Sequence, residues 1–445
     1  MTTVAFSLAS ICARSVDGAA RERAALHVQD WLGCAAAGVR EAVSTPLAAW
    51  AATRPRGPAA LLTGSRADML DACLINGALG NPLEMDDVHR AAILHPGPVV
   101  IPAALAVGET IGAAADDVLA AIVRGYEAMI RVGVAAGPGH YAYWHPTATC
   151  GVFGAAVAAA SLLRLSTPMT VAALGNAGTQ AAGLWQVRHE DVMAKQLHTA
   201  HAAHAGVLAA DWARHGFSGV TTLLEGPQGF FAALGGGDPA RVAAEPDAGW
   251  KIFEVSFKPW PACRHAHPLI DAALALRETL PADAIAAIDT VEVRAYADAI
   301  KFCDRPDPAT ALQAKFSLQH CAATVLLHGP PALAHFEPSA LAEPRVAALR
   351  ARVRVASAEP YASAYPAHFG AALTVCTQGR AYEHAVTDAL GDPENPLSRP
   401  AIDAKARTLM QHALWSAGRI DAALAACRNL PGAASLDALT ATFHP

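Results

Sequence analysis

Apolar residues recur with the 3.6-residue period in segment after segment through the first ~260 residues of this chain. Ala24, Val28, Trp31, Leu32 and Ala35 form one stripe, and Leu119, Ile122, Val123, Tyr126 and Ile130 form another. Each stripe has to be buried, and a succession of helices solves that by packing helix on helix. At 445 residues, with 53% hydrophobic and only 16% charged residues, the chain can build large buried surfaces and is no disordered polymer. So small a charged fraction leaves little polar surface for a monomer, and a homo-oligomer is expected. Prolines 102 and 146 mark two expected helix starts. The segment from about Ala194 to His215 is expected to be helical, with Gly216 as its stop.

The pattern changes after the breaker-rich stretch Lys258-Pro-Trp-Pro-Ala-Cys-Arg-His-Ala-His-Pro268. Val291, Val293 and Ala295 alternate with Glu292, Arg294 and Tyr296, which predicts a strand, and Val353 and Val355 predict a second. A hairpin is expected around Gly379, between Leu373–Thr377 and Arg380–Val386. Helices are expected at about 268–280, 310–328 and 401–429. The fold class is therefore mainly α, a large all-helical domain with a smaller α+β domain.

Several function classes are excluded. The net charge is −6, from 39 acidic and 33 basic residues, with no basic run, which argues against nucleic-acid binding. A local cluster of Lys and His can still attract a small anion. Nine cysteines show no two-residue pairing, which points to reduced cytoplasmic thiols and to no iron–sulfur ligation. No basic residue precedes the short apolar run at the N-terminus, so a secretory signal is not expected. The uncharged stretch Pro146–Leu163, rich in Ala and Gly, reads as a buried helix and not as a membrane span. A serine hydrolase lacks its Gly-x-Ser-x-Gly elbow.

Four polar islands interrupt the apolar background. In the first, Leu83-Glu-Met-Asp-Asp-Val-His-Arg90 runs on to His95-Pro-Gly-Pro98, offering Glu84, Asp86, Asp87 and His95 for proton transfer or carboxylate binding. An ion-paired surface loop is the plainer reading. The second, Gly139-His-Tyr-Ala-Tyr-Trp-His145, leads into Pro146-Thr147, so His145 sits just ahead of an expected helix start. That field favours a carboxylate and disfavours imidazolium, leaving His145 able to accept a proton. The third is Lys195 with His198, His201 and His204. At 100° per residue His198 lies about 60° from Lys195 and His201 about 120° away, a spiral unsuited to a metal. Lys195 is the sharper candidate, as a carboxylate anchor. The fourth holds Lys258, Cys263, Arg264, His265 and His267: a metal site in principle, or a basic rim around an anion formed by Lys258, Arg264 and His267.

These islands, in this order, resemble the MmgE/PrpD superfamily. The matching stretches are Asn76-Gly-Ala through Asp86-Asp87 to His95-Pro; Trp144-His-Pro-Thr-Ala-Thr-Cys-Gly-Val-Phe-Gly-Ala-Ala156; Lys195-Gln-Leu-His-Thr-Ala-His-Ala-Ala-His-Ala-Gly206; Gly216-Phe through Leu224-Glu-Gly226; Lys258-Pro-Trp-Pro-Ala-Cys263 with His267; Ala314-Lys-Phe-Ser-Leu318; and Gly391-Asp-Pro-Glu-Asn-Pro-Leu-Ser398. The resemblance implies an all-helical domain over residues 1–264, an α+β lid domain over 265–400, and C-terminal helices, 401–445, that return to the helical domain. It further implies a homodimer, no metal, no organic cofactor, and an active site between the domains. Known activities of the superfamily are 2-methylcitrate dehydratase, cis-aconitate decarboxylase and iminodisuccinate epimerase.

Carried over by position, the site residues would be Asp86 or Asp87, His95, His145, Lys195, Lys258 and His267, with Tyr141 matching a tyrosine of epimerase-like members. Departures stand at Glu84-Met-Asp-Asp, where the family usually has Asp-Phe-Asp-Asp, and at His320, where decarboxylase-type members carry a tyrosine. The expected chemistry is removal of a proton α to a carboxylate of a small polycarboxylate, by a metal-independent, dehydratase-type lyase. Lys195, Lys258 and the helix start at Thr147 would hold carboxylates. His145 or Tyr141 would take the proton, and His95, oriented by Asp86 or Asp87, would protonate the leaving hydroxyl. The rival readings are an epimerase or decarboxylase using the same carbanion, and a non-catalytic carboxylate-binding scaffold.

Overall fold

The computed structural model describes residues 2–444. Helix accounts for 57% of the chain and strand for 9%, so the fold is mainly α with a smaller α+β part. Two compact units divide the chain: one takes it up to Val255 and resumes at Ser398, the other is Ser256–Leu397.

In the first unit the helix Ala194–Arg214 is central, packed by Met69–Leu79, Gly97–Ile111, Gly151–Leu162 and Thr167–Gly178. Its inward face is almost entirely small: Ala202, Ala203, Ala205, Gly206, Ala209 and Ala210 are all buried. Small side chains bring helix axes close, and the alanines keep helix propensity high while doing so. The same device joins Ala115–Tyr141 to Gly151–Leu162. A Cβ on Gly125 would come within 2.8 Å of the Gly154 carbonyl oxygen, and one on Gly154 within 2.9 Å of the Gly125 carbonyl oxygen. Both stripes read from the sequence lie in this core: Ala24, Val28, Trp31, Leu32 and Ala35, and Leu119, Ile122, Val123, Tyr126 and Ile130 are buried. The late helix Arg399–His412 packs along Gly18–Gly38.

Pro146 does open a helix, Pro146–Thr149, at its first position. Pro102 does not. It lies inside Gly97–Ile111, which starts five residues earlier, where the Val99 and Val100 N–H groups bond the Pro96 carbonyl. The Pro96-Gly97-Pro98 run looks like a breaker, yet it forms the first turn, where missing or unpaired N–H groups cost nothing. Ala194–Arg214 ends as expected, with Gly216 at φ +89°.

The second unit is built on a four-stranded sheet. Val353–Ser357 runs parallel to Ile288–Ala295, which pairs antiparallel with Ala371–Thr377, itself antiparallel to Arg380–Val386. Val291 sits between Val353 and Val375, and Val293 between Val355 and Leu373, so one face is apolar. The helices His267–Thr279 and Leu318–His328 cover that face. The hairpin turns at Gln378 and Gly379, both with positive φ (49° and 70°), as a tight two-residue connection requires. The helix expected over 310–328 is two helices, Ala311–Lys315 and Leu318–His328. Ser317 interrupts them by capping the second, its hydroxyl accepting from the His320 N–H at 3.0 Å.

Among the described residues no helix is long and apolar enough to cross a membrane. Eight of the nine cysteines are buried.

Candidate active site

His145 caps the short helix Pro146–Thr149 from an extended backbone (φ −79°, ψ 106°), as the following proline imposes. Its N–H donates to the Gly183 carbonyl at 2.9 Å, and Trp185 lies over its ring at 4.3 Å between centroids. The side chain is fully buried. Nδ1 is hydrogen-bonded to Nδ1 of His198 at 3.1 Å, while Nε2 is buried with no hydrogen-bond partner among the described residues. Burial holds the imidazole well below its ordinary pKa, and the neighbouring Lys195, followed by His198 and His95, pushes it further; Asp86 opposes them. At neutral pH His145 is therefore uncharged, with one ring nitrogen tied and the other uncommitted.

The acidic loop between the helices Met69–Leu79 and Gly97–Ile111 supplies the groups around it. The two adjacent aspartates serve opposite purposes. Asp86 lies 3.0 Å from His95 Nδ1 and accepts from the Asn81 amide at 2.7 Å. His95 Nδ1 also lies 2.8 Å from the Asp87 carbonyl oxygen. Two acceptors at Nδ1 keep the proton there and leave Nε2 for chemistry, so Asp86 and the Asp87 main chain together orient His95. The Asp87 carboxylate is committed elsewhere: it accepts from His27 Nδ1 (2.7 Å), the Tyr126 hydroxyl (2.7 Å) and the Gly97 N–H (2.8 Å). It thereby caps the helix Gly97–Ile111 with negative charge. Glycine is needed at position 97, since a Cβ there would sit 2.7 Å from Asp87 Oδ1. Asp87 is a loop anchor, Asp86 the partner of a site histidine.

Lys195 opens the helix Ala194–Arg214 and pairs with Glu84, which is buried in the left-handed region at φ +58°. Thr147 is fully buried, and its hydroxyl accepts from the His95 N–H at 3.1 Å, tying the acidic loop to the helix start beside His145. Tyr141 stands edge-on to Trp185 at 5.7 Å, one ring removed from His145. Asp86, His95, His145, Lys195, Glu84 and Thr147 thus come together in the first unit, and His198 joins them.

The second unit contains the other four candidates. Lys258 is 1% exposed. The Arg264 guanidinium is committed to the Asp392 carboxylate and to the Ala389 and Leu390 carbonyls, bracing the 389–392 turn. His267 bonds Arg264 through Nδ1 (3.1 Å) and lies 3.1 Å from the Ala262 carbonyl through Nε2. His320 bonds the His335 carbonyl at 2.9 Å, and burial lowers its pKa to about 4. His265, weighed above as a metal ligand, is stacked between Phe302 and Phe369 with Nδ1 bonded to Tyr296. Among the described residues one group has metal-holding spacing, His368, Asp388 and Glu394, and His368 Nδ1 is already bonded to Asp388 at 2.8 Å.

Two supporting residues escaped the sequence reading. Lys405, from Arg399–His412, is buried and bonds both the Asp30 carboxylate and the Met85 carbonyl at 2.6 Å, gripping the acidic loop from behind. His198 was weighed only as a metal ligand, although its angular distance from Lys195 already put it on the same side of the helix.

Buried neutral histidines give a pH signature. Burial pushes His27 and His265 down to about 4. The unfolded chain takes up these protons near pH 6.5, while the folded one refuses them until about pH 4. Stability is therefore lost as pH falls through that window, by on the order of 3 kcal/mol for each imidazole. Urea unfolding between pH 7 and 4 is expected to show the loss, and His265→Gln to reduce its slope. A flat profile above pH 5 contradicts these assignments.

With this geometry the chain belongs to the MmgE/PrpD family: the model for its N-terminal domain matches residues 4–243 and that for its C-terminal domain residues 260–430. Curated relatives include a cis-aconitate decarboxylase-like protein of Aspergillus oryzae, 29% identical over 295 residues, 61% of this chain and 61% of the relative. The cis-aconitate decarboxylase of Aspergillus terreus is 30% identical over 278 residues, 58% and 56% of the two chains. That of Homo sapiens is 27% identical over 300 residues, 64% and 60%. This chain spans about three fifths of the length of the curated relatives it matches.

Proposed function

We propose that this protein is a lyase that transfers a proton at the carbon next to a carboxylate of a small polycarboxylate, without a metal. The observation that carries the reading is His145: a buried, neutral imidazole whose Nε2 has no hydrogen-bond partner among the described residues, under the positive charge of Lys195. A proton α to a carboxylate is weakly acidic because its removal puts a second negative charge on that group. Fixed positive charge and donors where that charge develops lower the barrier most.

In this scheme Lys195 and the helix start at Thr147 hold carboxylates. His145 Nε2 takes the α-proton and the C–H electron pair passes into the enolate. The pair then returns to expel hydroxide, which leaves as water with the Nε2 proton of a His95 that enters the step protonated on both ring nitrogens, its Nδ1–H staying on Asp86. Glu84 tempers Lys195 until a substrate carboxylate competes for it.

Decarboxylation is the second reading, favoured by the activity named for the relatives. There the C–CO2 bond breaks, carbon dioxide leaves, and the carbanion takes a proton from His145 or His95. The two are separated by incubating the protein with cis-aconitate and with hydroxytricarboxylates, following released carbon dioxide and the absorbance of new double bonds. Turnover unaffected by EDTA is expected with one member of the panel. No reaction with any of them, and none with amino- or unsaturated dicarboxylates, returns the chain to a carboxylate-binding scaffold.

A further inference from the structure

We propose that His198 is the positioning residue of His145 and the route by which its proton reaches solvent. This rests on the reading above, in which His145 transfers the proton.

The two imidazoles meet nitrogen to nitrogen, Nδ1 to Nδ1 at 3.1 Å, with ring centroids 5.3 Å apart. When both rings are neutral, one Nδ1 must carry the hydrogen and the other the lone pair. If His145 donates, its Nε2 is a base; if His198 donates, His145 Nε2 carries a proton and is an acid. The tautomer of His198 therefore sets which role His145 can play. Burial, reinforced by Lys195 and His201, lowers His198 to about 4, so the neutral pair is the resting state.

The surroundings of the two rings differ. His145 is 1% exposed, whereas His198 is half-buried and lines a cavity of about 680 Å³ together with Trp144, Leu184, Gln186, Glu190, Leu197 and His201. Leu184 and Leu197 are 54% and 57% exposed, so the cavity opens outward. A proton accepted at His145 Nε2 can leave as follows. His145 Nδ1–H passes to His198 Nδ1, and His198 Nε2–H passes to water. Both rings end neutral with their tautomers exchanged, and the substrate proton has become a solvent proton. The reverse order reloads His145. Decarboxylation consumes one proton per turnover, and dehydration returns the site to its starting state only if the α-proton is released. Either way, a histidine sealed from water needs such a partner.

The groups facing the pair are Lys195 and His201 on the same helix, and His95 and Asp86 from the acidic loop. The test compares His198→Ala with His198→Gln, whose amide can still hydrogen-bond His145 but cannot pass a proton. Both variants are expected to lose about a hundredfold in kcat with KM nearly unchanged, and added imidazole, entering the open cavity, should restore His198→Ala saturably. Full activity in His198→Gln, or no rescue by imidazole where the wild type turns over, overturns the relay. A second readout is independent of turnover: exchange of the His145 ring N–H with water, by NMR on protein labelled at histidine nitrogen. It should slow at least about tenfold in both variants. Unchanged exchange sinks the relay even if no substrate is ever found, while inactivity of the wild type alone sinks only the functional reading.

Discussion

Replacing His145 with alanine is expected to lower turnover about a thousandfold, within the range that a positioned acid or base contributes. The fold should survive, because the ring makes few structural bonds: Nδ1 to His198, the face to Trp185, and nothing at Nε2 among the described residues. His145 is held mainly by its backbone N–H to Gly183, which alanine keeps. Circular dichroism and the melting temperature should therefore stay close to wild type while kcat collapses. His145→Gln should be as inactive, since its amide can hold a hydrogen bond but cannot carry a proton between carbon and solvent. Activity within tenfold of wild type in either variant contradicts the assignment of the base.

Lys405→Ala is expected to produce the largest loss of stability, about 3–5 kcal/mol. Burial alone would discharge the Lys405 ammonium, but the Asp30 carboxylate more than offsets that and holds its pKa above the usual value. Burial already raises the Asp30 carboxyl to about 6 against the pull of Lys405, so removing the ammonium forces Asp30 to take up a proton or stay buried as an unpaired charge, and strips the Met85 carbonyl of a donor 2.6 Å away. The double variant Asp30→Asn with Lys405→Met removes both charges and should recover much of the loss. It should not recover full activity, because Met85 sits between Glu84 and Asp86 and its carbonyl still has no anchor. Urea denaturation of the two variants beside the wild type measures this. A single variant destabilised by less than about 1 kcal/mol contradicts the pairing.

The parts of the molecule legible in the sequence are those governed by local rules. The 3.6-residue stripes placed the core faces of Gly18–Gly38 and Ala115–Tyr141, and the alternation at Val291, Val293 and Ala295 placed a buried strand face. Proline at 146 put His145 at a helix start because the residue before proline is held extended. The polar islands stood out because an alanine-rich background makes each charged residue an exception that needs a partner. Irregular backbone hid the rest. Asp86 and Asp87 lie in a loop with no fixed period, so nothing local says that one carboxylate faces His95 and the other His27 and Tyr126. Lys405 meets Met85 across 320 residues of chain, and no spacing rule reaches so far. The helix start expected at Pro102 lies five residues earlier, because Pro96-Gly97-Pro98 supplies the first turn and Pro102 falls inside the helix.

Those particulars support one chemical idea: a sealed, uncharged imidazole, flanked by lysine and by a carboxylate-oriented histidine, makes and quenches a carbanion. Heavy water tests it directly. Substrate incubated with the protein in D2O and recovered before completion should carry deuterium at the carbon next to the carboxylate, in product or in returned substrate. His145→Ala should abolish the label. Exchange without net elimination or loss of carbon dioxide would identify an epimerase built on the same carbanion. Turnover with no deuterium at that carbon, or labelling that persists without His145, would contradict the mechanism.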